Sequence, residues 1–409
     1  MLAHIDKIRR KNLIAISITK LLHGFGTNIF GVVYQVYLFE LTNSLIITGI
    51  IVSLGSVIQF LPMPLIGKLS DKFNRKLIIT ISMPIYILGL FLLIIANPTT
   101  LYFAVLGIMM YFLGFTINNL NSQFIVAEST TKSKGLIYGI MFFSYFLGTI
   151  GGSILVISDS SLNARAYFEI FIGILAFECL IYGILLSNKT QLIENEFSID
   201  KRVKKENQWK KILRTKTLRS ILIFFTLDIF VYGLTLSIYV AGLKSYYNLT
   251  VENIAILSMG MNITNMLFQI PAGKITDKIG SKKTLILSQF FGIGFFIMNV
   301  LAVSLWSNNY GTPLLFILLV GHISLAISVV TFIPSEQMIL TNLDTQRKGE
   351  SYGIIAFARG LGYIPTGYLG GLIVVNLGYM TLFIFSFCGV ILEIIFLLRF
   401  FHHHPLSLE

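Results

Sequence analysis

The feature that most restricts this chain is a succession of apolar runs, each long enough to cross a bilayer. They fall at roughly 12–38, 45–67, 77–96, 101–126, 135–157, 166–187, 218–241, 252–273, 284–304, 313–336, 351–374 and 379–401. A membrane helix needs about 20 apolar residues. In hydrocarbon the backbone must satisfy its own hydrogen bonds, so such runs fold as helices. Twelve of them in 409 residues leave short connections and no room for a large water-soluble catalytic domain. Composition agrees, with 12% charged residues where soluble domains carry about 25%. The expected class is an all-α integral membrane protein. The first run follows Lys7, Arg9, Arg10 and Lys11 and is too long and polar for a cleaved signal sequence. Cys179 and Cys388 both lie inside apolar runs, where they act as small hydrophobes rather than as a disulfide or metal framework.

The net charge of +12 suggests no nucleic-acid partner once the charges are placed. Of the 31 Lys and Arg, Arg165 and Lys244 lie on one side and Lys20 and Arg359 fall within spans; all others lie on the side of the N-terminus. By the positive-inside rule both termini are cytoplasmic, in a multi-pass protein of the plasma membrane.

The chain repeats one plan. After the second span comes Gly67-Lys68-Leu69-Ser70-Asp71-Lys72-Phe73-Asn74-Arg75-Lys76, and after the eighth Gly273-Lys274-Ile275-Thr276-Asp277-Lys278. Lys134-Gly135-Leu136-Ile137-Tyr138-Gly139 before the fifth span is matched by Lys348-Gly349-Glu350-Ser351-Tyr352-Gly353 before the eleventh. The expected organisation is a six-helix bundle over 1–187, a basic linker over 188–217, a second bundle over 218–401 and a tail over 402–409.

The Gly-x-x-x-Asp-x-x-x-Arg-Lys stretch at Gly67, Asp71, Arg75 and Lys76 resembles the signature loop of the major facilitator superfamily. That resemblance implies two pseudo-symmetric six-helix bundles around a central cavity and transport by alternating access. Val36 to Ser44 is also similar to the proton-driven efflux branches. In the loop, Gly67 permits close helix approach, while Asp71 and Arg75 can join a second acid such as Glu128 into a latch on the cytoplasmic face. In the second half Ser281 replaces Arg75, which leaves Asp277 only Lys282 or Lys283 as partner. Gly148, Gly151 and Gly152 in the fifth span, and Gly360, Gly362, Gly367, Gly370 and Gly371 in the eleventh, place small residues where helices can meet closely. These stretches resemble the interface motif of proton-driven exporters, although the first lacks its usual Pro.

Charged residues within spans are the sharpest functional signal, because each costs about 2.5–3.5 kcal/mol at the helix centre unless it faces a cavity or partner. Asp228 lies about 15 Å into the seventh span. The repeat sets it over His23 in the first, and the resemblance implies that both helices line the cavity. The expected coupling pair is Asp228 with His23. Lys20 and Arg359 either meet an anionic substrate or neutralise acids such as Glu336. Asn118 and Asn119 are cavity candidates on the fourth span, which lacks the Arg that many proton antiporters of the superfamily carry there. Glu178 and Glu393 occupy matching places in the sixth and twelfth spans and suggest packing; they are next in line as ion carriers.

No ATP-binding loop, metalloprotease motif, metal site or cofactor motif is present in the sequence. The expected protein is not an enzyme but a monomeric secondary transporter of a small molecule, coupled to protons or another ion. Its 34 Phe and 18 Tyr, together with Asp228, favour proton-coupled efflux of amphipathic or cationic compounds. Lys20, His23 and Arg359 favour import or exchange of a small anionic metabolite. A lipid scramblase or sensor is the alternative of another class.

Overall fold

The computed structural model describes residues 2–129, 134–159, 162–187, 216–307, 313–341 and 348–401. The linker over 188–217 thus falls almost wholly outside the described residues, as do the tail 402–409 and the side chain of Glu128.

Among the described residues twelve helices are long and apolar enough to cross a membrane. They are α1 (Leu2–Thr42), α2 (Leu45–Phe60 and Met63–Lys72), α3 (Arg75–Ile95), α4 (Leu101–Ser129), α5 (Lys134–Ser158) and α6 (Ala164–Leu185). The second set comprises α7 (Lys216–Leu236 and Tyr239–Tyr247), α8 (Val251–Ile279), α9 (Ser281–Ser307), α10 (Leu314–Thr341), α11 (Lys348–Tyr363 and Thr366–Leu377) and α12 (Tyr379–Arg399). Polar residues mark the starts. The side chains of Ser44, Asn74, Asn163 and Thr250 accept from backbone amides of the first turns of α2, α3, α6 and α8. Pro62 and Pro365 interrupt α2 and α11. Leu180, Ile184, Phe316 and Leu392 stand exposed on the outside, a surface suited to lipid and not to water.

The two halves pack alike. In the first, α1 lies against α5 and α6, α3 against α4 and α6, and α2 against α4; in the second, α7 lies against α11 and α12, α9 against α10 and α12, and α8 against α10. The correspondence extends to single bonds. Lys76 Nζ donates to Gly183 O at the end of α6 (2.7 Å), and Lys282 Nζ donates to Leu398 O at the end of α12 (3.4 Å). The bundles meet through α2 against α11 and α5 against α8.

The glycines divide between these contacts. A Cβ on Gly148 would overlap Leu21 O, one on Gly152 would lie 2.5 Å from Phe25 O, and one on Gly362 2.5 Å from Thr226 O, so these three hold α5 to α1 and α11 to α7 inside each bundle. Gly367 and Gly371 face Gly49 O (2.5 Å) and Leu45 O (2.8 Å) across the bundle interface. Close approach between bundles is therefore a property of only part of the glycine set. Gly67 is buried in the second piece of α2. A Cβ on Gly273 would meet nothing within 4 Å, so no close approach requires glycine at that place.

Candidate functional site

A cavity of about 180 Å³ lies between the bundles, in the half towards the basic face that carries Lys68, Lys72, Lys274 and Lys278. Its wall includes Gln59 and Phe60 of α2, Phe115, Thr116 and Asn119 of α4, and Arg359 of α11. Towards the opposite face the bundles are tied together. Gln35 of α1 reaches the break in α7, where its Oε1 accepts from Val240 N (3.0 Å) and Ala241 N (3.2 Å) and its Nε2 donates to Leu236 O (3.3 Å). Asn28 of α1 donates to Ser258 of α8 (2.8 Å) and accepts from Ser153 of α5 (2.9 Å). Helix N-terminal amides lack partners within their own helix, and here a residue of the other bundle supplies one.

Two clusters of charge lie behind the cavity wall, one in each bundle. In the second, Arg359 pairs with Glu336 and stacks its guanidinium 5.3 Å from the Phe225 ring centre. Asp228 feels the Arg359 charge, accepts from Gln289 Nε2 (2.9 Å) and has the Glu393 carboxyl beside it. Tyr232 donates to Gln289 Oε1 (2.9 Å), which orients the amide towards Asp228. In the first bundle, Lys20 Nζ donates to Asn119 Oδ1 (3.2 Å). His23 Nδ1 lies 3.3 Å from Glu178 Oε2, close enough for attraction but not aligned as a hydrogen bond. Asn118 donates to the Tyr182 hydroxyl of α6 (3.4 Å).

At the basic face, Arg75 Nη2 lies 3.4 Å from Asp71 Oδ1, its Nε donates to Ser70 O (3.1 Å), and its guanidinium sits 4.8 Å from the Phe124 ring centre on α4. Ser70 in turn donates to Asn121 of α4 (2.8 Å). The loop is thus fastened to α4 of its own bundle. Among the described residues Asp277 has no ion pair, and Lys282 is spent on α12.

A family model of the Major Facilitator Superfamily matches residues 16–367 and 227–408. The chain belongs to that superfamily. It is similar to the class H tetracycline resistance protein of Pasteurella multocida, 26% identical over 251 residues that cover 59% of this chain and 60% of the relative. Among solved structures, a xylose transporter of E. coli in a partially occluded inward-open conformation superposes with a TM-score of 0.74 at 12% identity, covering 96% of this chain and 98% of that one. A D-xylose-proton symporter gives 0.72 at 12% identity with the same coverage. These two likenesses establish the fold alone: the major facilitator architecture of two six-helix bundles.

Within this fold the expected site residues are rearranged. Asn119 and Arg359 reach the cavity wall. Lys20, His23, Asn118 and Asp228 sit behind it, each engaged within its own bundle. His23 and Asp228, expected from the sequence as one coupling pair, each face a partner in their own bundle. The pseudo-symmetry that equates them also turns each towards its own bundle, so His23 meets Glu178 of α6 and Asp228 meets Glu393 of α12. Glu178 and Glu393, read from the sequence as packing residues, are the polar partners. Gln289 was missed although it is a polar side chain in an apolar span, and the wall residues Gln59 and Thr116 carry no pattern that sets them apart.

The loop motif yields one prediction. With Asp71 and Arg75 remote from the cavity, Asp71→Asn and Arg75→Ala slow exchange between states and leave ligand affinity within about twofold, the size of a surface pair. Turnover and equilibrium binding measured on both variants check this, and unchanged turnover would leave the motif as topogenic charge only.

Proposed function

We propose that this transporter exports amphipathic or cationic small molecules in exchange for protons, with Asp228 and Glu393 holding the coupling proton. One observation carries the proposal: two carboxyls lie side by side in the interior of the second bundle, linked to the cavity through Arg359. Two such groups cannot both carry full negative charge in an apolar interior without a proton or a cation. Arg359 divides its attraction between Glu336 and Asp228. A substrate that disturbs Arg359 therefore changes how firmly the acid pair holds its proton. The similarity to a tetracycline resistance protein supports the direction, and Phe60 and Phe115 in the wall supply aromatic surface for an amphipathic ligand.

The test is transport in proteoliposomes under an imposed pH gradient, with tetracycline and ethidium as probes. Movement of either probe against its own gradient, opposite to the proton flow, supports the proposal. Movement only when the gradient is absent, or in the same direction as protons, contradicts it. A second reading, uptake of a small anion, is favoured by Arg359 in the cavity wall and Lys20 behind Asn119. Proton-driven uptake of an organic anion in the same vesicles would select it.

In the proposed orientation the basic face is cytoplasmic, as positive loop charge requires. The proposed units are a bundle over 1–187, a linker over 188–217 and a bundle over 218–401, acting as a monomer in the plasma membrane. In a variant lacking Cys179 and Cys388, a cysteine at Thr99 is expected to react with an impermeant reagent applied to intact cells, and one at Asn74 only after lysis. The reverse pattern would invert the orientation.

A further inference from the structure

We propose that Glu178 and His23 form a second proton-binding site, inside the first bundle, connected to the cavity through Lys20 and Asn119. The proposal rests on the reading of the chain as a proton-coupled carrier and adds to it a site and a stoichiometry: one titrating pair in each bundle.

Glu178 is 0% exposed and His23 1%. Their side chains approach to 3.3 Å, yet neither carboxylate oxygen and neither ring nitrogen makes an aligned hydrogen bond. A buried ion pair with a purely structural role needs further hydrogen bonds to satisfy its remaining lone pairs and protons. Among the described residues no backbone or side-chain group supplies them. The pair can therefore gain or lose a proton without breaking any other hydrogen bond.

The surroundings restrict what can reach it. From α3 the pair meets Tyr86, from α4 Phe115 and from α6 Phe171, with ring centres 5.7, 6.1 and 6.4 Å from that of His23. Tyr182 of α6 also feels the Glu178 charge and is bonded to Asn118 of α4. Lys20, one turn from His23 along α1, also acts on Glu178 through its charge. Its ammonium is held by Asn119, which faces the cavity. A substrate group that engages Asn119 displaces or draws the Lys20 ammonium, and the field on Glu178 changes with it. The cavity and the buried pair are thus joined by one movable cation.

The second bundle repeats the placement with different chemistry. Glu393 of α12 stands to Asp228 of α7 as Glu178 of α6 stands to His23 of α1, and both glutamates have two carboxyl oxygens without a hydrogen-bond partner. On the other side of the second pair are Gln289 of α9, Tyr232 of α7 and, from α11, Arg359. Arg359 takes the place that Lys20 has in the first bundle. Protons taken up at two such sites give two protons per substrate rather than one.

The experiment is difference infrared spectroscopy of carbon-13 glutamate-labelled protein in nanodiscs, without substrate, across about pH 5 to 8. Beside the contribution of Glu393, a protonated-carboxyl component that changes with pH in the wild type and is lost in Glu178→Gln is expected; in Glu178→Asp it moves to the unlabelled position. His23→Gln removes the imidazole that faces the carboxyl at 3.3 Å, so the component should persist to higher pH by about one unit, a tenfold change in proton affinity. Asp228→Asn leaves the component in place. A Glu178 carboxyl in a single protonation state throughout, or a His23→Gln profile identical to the wild type, overturns the site. If the component titrates as expected but neither probe moves with a pH gradient, the transport reading fails and the proton site stands. If transport is proton-driven and Glu178→Gln keeps the wild-type count of protons per tetracycline, the second site fails and the transport reading stands.

Discussion

Asp228→Asn is expected to cut accumulation driven by a pH gradient by about tenfold per pH unit, the share of one coupled proton, while leaving exchange of substrate down its own gradient intact. The substitution preserves shape. Asn can still accept from Gln289, which lies 2.9 Å from the Asp228 carboxylate, and its amide offers Glu393 a donor that does not titrate. The substituted pair has one titratable member instead of two, and Arg359 no longer faces a second acid. One coupled proton supports about a tenfold concentration ratio per pH unit, which is about 1.4 kcal/mol. The variant should lose that one factor and keep only the accumulation that the Glu178 pair supports. Exchange measured with equal substrate on both sides should continue, since Asp228 lies behind the cavity wall rather than in it. Binding should also become less sensitive to pH between about 5 and 8. Persistence of accumulation with its pH dependence intact would make Asp228 structural and shift coupling to the Glu178 pair.

The membrane-spanning frame was legible because it depends on runs of apolar residues, and hydrocarbon leaves such runs no alternative to helix. The repeat of Gly67 to Lys76 around Gly273 was legible too, and it implied two related bundles. What the repeat could not convey was facing. Equivalence between His23 and Asp228 means that each plays the same part in its own bundle, so the residue to seek opposite each was the equivalent pair Glu178 and Glu393. A ring that forbids the helical hydrogen bond stands at the breaks of α2 and α11, Pro62 and Pro365, within spans that read as continuous, while Pro84, Pro271 and Pro334 lie inside unbroken helices. The break in α7 at Ser237 and Ile238 has no such mark. It is stabilised from outside, by a side chain on α1, and a partner distant in sequence leaves no local pattern. The cavity wall was poorly legible for a related reason: Gln59 and Thr116 differ from other isolated polar residues of the spans only in what the folded bundles place opposite them.

Gln35→Leu is expected to open the face opposite the basic one. Gln35 is 4% exposed, and its amide joins the bundles by bonding Leu236 O, Val240 N and Ala241 N at the unwound turn of α7. Among the described residues the other ties on this side are weaker or indirect. Glu40 and Lys244 stand 3.8 Å apart with the Glu40 side chain 55% exposed, and exposed pairs contribute little. Asn28 grips Ser258 through a single bond. Leucine fills a similar volume but leaves two amides and a carbonyl of α7 without partners in the closed arrangement, whereas the open arrangement exposes them to water. At about 1 kcal/mol for each bond the closed state loses about 3 kcal/mol, a shift of about a hundredfold in the ratio of the two states. Spin labels at Thr99 and Asn376, one in each bundle at this face and both exposed, report the separation by pulsed dipolar measurement in a variant without Cys179 and Cys388. A population at longer distance should become dominant in Gln35→Leu, while Glu40→Gln should leave the distribution close to that of the parent. An unchanged distribution in Gln35→Leu would mean that packing of α2 on α11 and of α5 on α8 closes this face without the amide.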